Sequence, residues 1–263
     1  MKRPLLVSVL LLATAGTLAA HDLFLKLDSY FVAPGARLVV RVLNGTFSAS
    51  EGAVVNDRLR DLVLVTPDGV RRLDMGTWVA RGDTSVLTAT TGESGTYVIG
   101  ASLRPRELKL EAKDFNAYLI EDGLPDVLAA RRKAKELDRP ARERYSKHVK
   151  ALVQVGHRRT NGYQTAFGYP AELIPLDNPY ALRPGRMLRI RAVVDGEPVA
   201  NQLVTAGGPA EPGSVRTDSA GVARVLIGSR GAWYVKFIHM RPAVGDSSID
   251  YESKWATLTF GVQ

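Results

Sequence analysis

The sequence predicts a mainly β fold, two immunoglobulin-like antiparallel β-sandwich modules with a helical insertion between them. Three observations carry that expectation. Short apolar, β-branched runs recur between Gly-, Pro-, Asn- and Asp-containing turns over residues 21–104. The same pattern returns over residues 161–263, with roughly seven runs in a length that suits one sandwich. Between them, residues 105–160 turn to Ala, Leu, Lys, Arg and Glu at helical spacing.

Residues 1–20 stand apart from the fold. Lys2 and Arg3 form a positive start, Leu5 to Ala15 is apolar, and Gly16 to Ala20 is small. That order reads as a cleavable secretory signal peptide, so the mature chain is expected in the periplasm. The chain has no cysteine, which excludes disulfides, thiolate ligands, cysteine nucleophiles and a lipid-modified N-terminal cysteine.

In the first module, LFLKL is followed by Pro34-Gly35, and RLVVRVL ends at Asn44-Gly45. DLVLV turns through Pro67-Asp68-Gly69, and Ser94-Gly95 precedes TYVIGASL. The small, polar stretch from Thr46 to Asn56 reads as a loop. Helices are predicted over Leu108 to Glu121 and Leu124 to Leu137, with Gly123 ending the first and Pro125 in the first turn of the second. After Pro140, a strand from Tyr145 to Val155 is predicted, with Val149, Ala151, Val153 and Val155 on one face. His148 falls on its other face and His157 just beyond it, both expected at the surface.

The second module begins as a Pro-punctuated, extended stretch and proceeds through MLRIRAVV, Asp195-Gly196, NQLVTA and VARVLI. It closes with a hairpin, WYVKFIHM and KWATLTFGV, joined by RPAVGDSSIDYES. Alternation puts Trp233, Val235, Phe237 and His239 on one face. The connecting loop supplies Asp246, Asp250, Tyr251 and Glu252. An imidazole beside such carboxylates suits nickel, cobalt, copper or zinc better than calcium or magnesium, which take oxygen ligands alone.

His21 is the second candidate ligand. Cleavage after Ala20 would leave its ring nitrogen beside a free amine. Cleavage after Ala19 would leave Ala-His, where amine, amide and ring nitrogen can line up on Cu(II) or Ni(II).

Charge is unevenly placed. The chain carries 35 Lys+Arg against 27 Asp+Glu, and Arg104 to Arg159 alone holds 15 basic and 9 acidic residues. Peripheral contact with an anionic membrane through residues 104–159 is the expectation at most. Nucleic acid is not an expected partner for an exported chain with few aromatics among its basic residues.

The stretches HDLFL, IPLDNPYALRPG, GAWYVKFIHM and ESKWATLTF together resemble a bacterial periplasmic family described as the periplasmic component of cobalt or nickel uptake systems. Nickel-transport accessory proteins are its relatives. The resemblance spans nearly the whole mature chain and implies transition-metal binding near the membrane. It carries over His21 and His239 as ligands, and Glu252 after them.

The expected function is therefore periplasmic binding of a divalent transition metal for uptake or delivery, with membrane transporter components as partners. Its expected ligands are His21, His239, Glu252 and Asp250. The alternative is a non-catalytic module binding a glycan, an envelope protein or a transporter partner. An enzyme is not expected, because no nucleophile elbow, zinc-protease helix or phosphate loop is present in the sequence.

Overall fold

The computed structural model describes residues 21–209 and 211–263; the expected signal peptide lies outside them. The first strands are β1 (Asp22–Leu27), β2 (Phe31–Val32) and β3 (Arg37–Gly45). They are followed by β4 (Leu59–Thr66), β5 (Gly69–Arg72), β6 (Trp78–Arg81), β7 (Thr84–Thr90) and β8 (Gly95–Leu103). Then come β9 (Arg106–Leu110), α1 (Ala112–Glu121), α2 (Pro125–Lys133) and β10 (Ala141–Val155). The remainder is β11 (Ala171–Pro175), β12 (Arg186–Val194), β13 (Glu197–Pro198) and β14 (Leu203–Gly207). It ends with β15 (Gly213–Arg216), β16 (Val222–Ile227), β17 (Gly231–Pro242) and β18 (Tyr251–Val262).

The chain is mainly β, as expected, and its strands form three sheets. A central sheet runs β15-β14-β17-β18-β10-β8-β4-β5, with β2 and β9 both pairing with β10. It draws strands from both of the expected modules. β10 and β18 join them in parallel, Glu143 opposite Tyr251 through Ala151 opposite Thr259. A second sheet, β1-β3-β7-β6, covers one side: Thr257 and Thr259 of β18 donate to the carbonyls of Leu23 and Leu25. A third, built on β11, β12, β13 and β16, covers the other, where Lys150 of β10 meets Glu172 of β11.

β10 explains why one of the sequence expectations fails. Its odd residues Val149, Ala151, Val153 and Val155 are buried as predicted, but so are His148, Lys150 and Gln154 on the other face. Alternation reveals two faces; it does not reveal that the polar one is roofed by another sheet. His148 is 2% exposed, bonded to Ser102 Oγ and Ser146 Oγ, so its expected surface position is corrected, whereas His157 is exposed.

The helical segment packs on the final hairpin. α1 starts at Ala112 and not at Leu108, because Leu108 and Leu110 pair with Glu143 and Ala141 of β10. Phe115, Tyr118 and Leu119, at helical spacing, join Ile238, Met240, Tyr251 and Trp255 in a second apolar cluster. Gly123, at φ +72°, ends α1: Leu124 N–H donates to Leu119 O and Gly123 N–H to Ile120 O. That turn holds Asp122 at the helix end and puts Pro125 at the start of α2. α2 stops at Lys133, four residues before the predicted Leu137, where Lys135 adopts φ 59°.

Candidate functional site

The first residues of β1 sit over a buried group of charges. Asp22 pairs with the Lys236 ammonium of β17, and its second oxygen, Oδ1, is buried without a hydrogen bond. Lys236 Nζ also lies 3.7 Å from Asp122 Oδ1, which the α1 terminus delivers. Lys147 of β10, 5% exposed, donates to the backbone carbonyl of His21 and, at 3.2 Å, to Asn44 Oδ1. Its ammonium lies 5.2 Å from the Trp255 ring centre. Glu143, on the same face of β10, accepts from Tyr118 Oη at 3.1 Å and from Ser253 Oγ.

Burial dominates the electrostatics here, because it penalises every charged form. It pulls the Lys147 ammonium down to about 8 against the attraction of Asp22 and Asp122. It pushes the Asp122 carboxyl up to about 7, with Asp22 adding to the effect, and Glu143 up to about 7. For Lys236 burial works against the charge, but Asp22 and Asp122 together hold the ammonium above its ordinary value.

His21 caps this group at the protein surface. Its Nε2 lies 3.0 Å from Glu51 Oε2, and its side chain is about one quarter exposed. Glu51 is held there by local folding: its backbone N–H donates to Asn44 O at 2.9 Å, beside the Gly45–Ser50 bridge. A carboxylate on Nε2 favours the proton on that nitrogen and leaves the lone pair on Nδ1. Nδ1 is also the ring nitrogen that closes a chelate with the residue's own amine or amide nitrogen.

The other expected ligands are not brought to it. Strand parity puts His239 on the opposite side of β17 from Lys236, and Lys236 is the residue that meets Asp22. The half-buried His239 ring lies with Nδ1 2.9 Å from Gln202 Oε1. Burial, Arg241 and Lys254 hold its imidazolium form down. Glu252 and Asp195 lie on its side of the sheet, and Asp195 accepts from Lys254 Nζ at 2.6 Å.

The loop carboxylates turn elsewhere. Asp250 accepts from Arg142 N at 2.8 Å, Nε at 3.1 Å and Nη2 at 3.0 Å. Asp246 pairs with Arg144 Nη1 at 2.8 Å, and the Tyr251 ring packs on Phe115. Glu252 is exposed and 4.0 Å from Lys254 Nζ. The expected set of His21, His239, Glu252 and Asp250 is therefore not one site. The β17–β18 loop folds toward the start of β10, where Asp250 N–H bonds Arg142 O, and this takes Asp250 away from His239; Glu252 stays on the His239 face of β18, exposed beside Lys254. No group of three or more His, Asp or Glu arranged around a common point occurs among the described residues.

The basic segment is likewise not one open patch. Arg131, Lys147 and Lys150 are buried, and Arg139, Arg142 and Arg144 pair with Glu136, Asp250 and Glu107. Glu51, Lys147, Lys236 and Asp122 escaped the sequence reading. Lys236 did carry a signal, a lysine between Val235 and Phe237 in the middle of the aromatic- and β-branched-rich run WYVKFI.

The family model described as "Domain of unknown function (DUF4198)" matches residues 18–241. No curated protein sequence matches the chain. Among solved structures, the D0-D1 domain of intimin aligns over 91% of this chain and 97% of its own, with 13% identity and a TM-score of 0.21. A two-domain fibronectin type-III segment of chicken tenascin aligns over 92% and 98%, with 11% identity and a TM-score of 0.24. Trypsin-activated alpha-2-macroglobulin from Escherichia coli aligns over 92% of this chain but 16% of its own, with 11% identity and a TM-score of 0.26.

Proposed function

The chain belongs to the DUF4198 family, which is defined by sequence and not by an activity, and we propose that this member binds a divalent transition metal in the periplasm. The metal is nickel, cobalt or copper, bound through His21 for uptake or delivery. The architecture we assign is two β-sandwiches built on one shared central sheet. The observation that carries the reading is Glu51 on Nε2 of His21, which orients the ring and leaves Nδ1 as the donor. Removal of the leader at Ala19 or Ala20 would place a free amine within reach, completing a nitrogen chelate that suits these metals.

Such a site offers few protein ligands. It leaves positions on the ion for water or for a receiving protein, which fits capture and transfer better than permanent storage. His239, Asp250 and Glu252 have no part in it. The protein is proposed to act without catalysing a reaction, and contact with transporter components remains part of the proposal.

Intact-mass spectrometry of exported protein, followed by calorimetric titration with Ni(II), Co(II) and Cu(II), tests the reading. Binding that is abolished by His21→Ala, or by acetylation of the N-terminal amine, is the expected result. A wild-type titration indistinguishable from buffer would end it.

A second reading, a non-catalytic module that binds a glycan, an envelope protein or a transporter partner, draws on one observation. Met187 and Leu226 stand opposite each other on β12 and β16, and each is 53% exposed. Partner binding that survives chelator and is lost in Met187→Glu would favour that reading over metal capture.

A further inference from the structure

Away from His21, a cleft of about 570 Å³ lies between the α2–β10 connection and the β17–β18 loop. Its volume suits a small organic molecule. Arg131, Arg142, Ser247, Ile249 and Tyr251 are among the residues that line it.

Arg131 is the unusual member. It is 3% exposed, yet no carboxylate pairs with it among the described residues. The acids around the cleft are already committed to other arginines, Glu136 to Arg139, Asp250 to Arg142 and Asp246 to Arg144. The guanidinium is held in place by neutral acceptors: Nε donates to Asn116 Oδ1 at 3.2 Å, and Nη2 to Glu136 O and Arg139 O at 2.7 and 2.6 Å. Phe115 and Tyr251 flank it, with ring centres 4.9 and 5.9 Å away. Nη1 alone lacks a good partner, reaching only Tyr251 Oη at 3.5 Å.

A buried guanidinium stays charged, because its pKa lies far above physiological pH. It lacks a counter-ion and keeps one fork position for an acceptor. We propose that this cleft binds a small organic carboxylate, with Arg131 Nη1 as the charged donor. The Ser247 hydroxyl supplies a further polar contact at the mouth, and Ile249 and Tyr251 form the wall against the ligand's apolar body. With Nε and Nη2 occupied, Nη1 offers a single charged contact, so the Ile249 and Tyr251 wall is what favours an organic carboxylate over inorganic phosphate. The site is independent of the metal reading and stands or falls separately.

The test titrates the mature chain with benzoate, citrate, the neutral analogue benzamide and inorganic phosphate. Heat and the Arg131 Nε–Hε resonance are followed. Benzoate or citrate should bind and shift that resonance, benzamide should not bind, and phosphate should bind more weakly than both. Arg131→Gln should abolish binding. Because that residue is buried and its loss could unfold the segment, Ser247→Glu serves as the second variant. Ser247 is exposed, and a carboxylate there should weaken carboxylate binding by about tenfold or more through like-charge repulsion. His21→Ala should leave the affinity unchanged. The proposal is overturned if neither carboxylate binds, if benzamide binds equally well, if phosphate binds tighter, or if Ser247→Glu changes nothing.

Discussion

His21 and His239 stand on opposite sides of one sheet. The strand that carries His239 sends Lys236, three residues earlier, through its other face to Asp22, the neighbour of His21. Two imidazoles separated by a β-sheet cannot share an ion, so any metal held by this chain at His21 is held without His239.

The two histidines should therefore respond differently in a metal titration. Glu51→Gln removes the charged acceptor on Nε2 of His21 and should weaken Ni(II) or Cu(II) binding by about 10–100-fold, the usual effect of losing such an orienting group. His239→Ala should leave the affinity unchanged to within about twofold. Calorimetry on the three proteins checks it, and equal losses in both variants would contradict the separation.

The buried charges near Asp22 make the fold sensitive to single neutralisations. Lys236→Met leaves Asp22 and Asp122 facing each other without their shared cation and should cost about 3–5 kcal/mol in urea unfolding. Adding Asp22→Asn should recover a large part of that loss, because the uncompensated charge and not the lost contact dominates the cost.

Glu143 gives the stability a pH dependence with a definite sign. Its carboxyl sits at about 7 in the folded chain and near 4.5 when unfolded, because burial disfavours the anion. Between those values the folded state holds the proton and the unfolded state does not. The contribution is therefore present at low pH and lost as pH rises through about 7. Asp122, also raised to about 7, acts in the same direction. Glu143→Gln should flatten the fall in unfolding free energy between about pH 4.5 and 7 by roughly 1–3 kcal/mol, measured by urea unfolding across that range. A profile identical to wild type would show that Glu143 is ionised throughout.

His148 should stay neutral across the physiological range. Burial, together with the Arg60 and Lys254 charges, pulls its imidazole down to about 3. Its ring protons should show no titration between about pH 5 and 8 in NMR spectra. A midpoint inside that window would mean that water reaches the Ser102–His148–Ser146 chain.

Asp250, expected as a ligand, should behave as an ordinary ion-pair residue. Its pair with Arg142 is more than a third solvent-exposed on both sides, so Asp250→Ala should cost no more than about 1 kcal/mol. The metal titration of that variant should match wild type.

Much of the fold was legible. Turn residues at Pro34-Gly35, Pro67-Asp68-Gly69 and Asp195-Gly196 do separate strands, the β17–β18 hairpin lies where alternation put it, and Gly123 and Pro125 do divide two helices. These are local outcomes, decided by backbone preferences within a few residues. The candidate site was legible only at His21, whose place at the head of β1 follows from its own segment. Glu51 lies in a stretch read as a featureless loop, and the bridge from Gly45 to Ser50 that aims it at His21 leaves no periodic trace.

By itself the sequence determined the β-rich character, the two-helix interruption and the facial sharing of Trp233, Val235, Phe237 and His239. Each of these rests on periodicity inside one segment. Only the tertiary structure decided which segments became neighbours: β10 beside β18, Asp22 against Lys236, and Asp250 on Arg142 instead of beside His239. Such pairings join residues more than a hundred positions apart. They are chosen by which faces can be buried together and which charges can be matched, and no single stretch of chain contains that information.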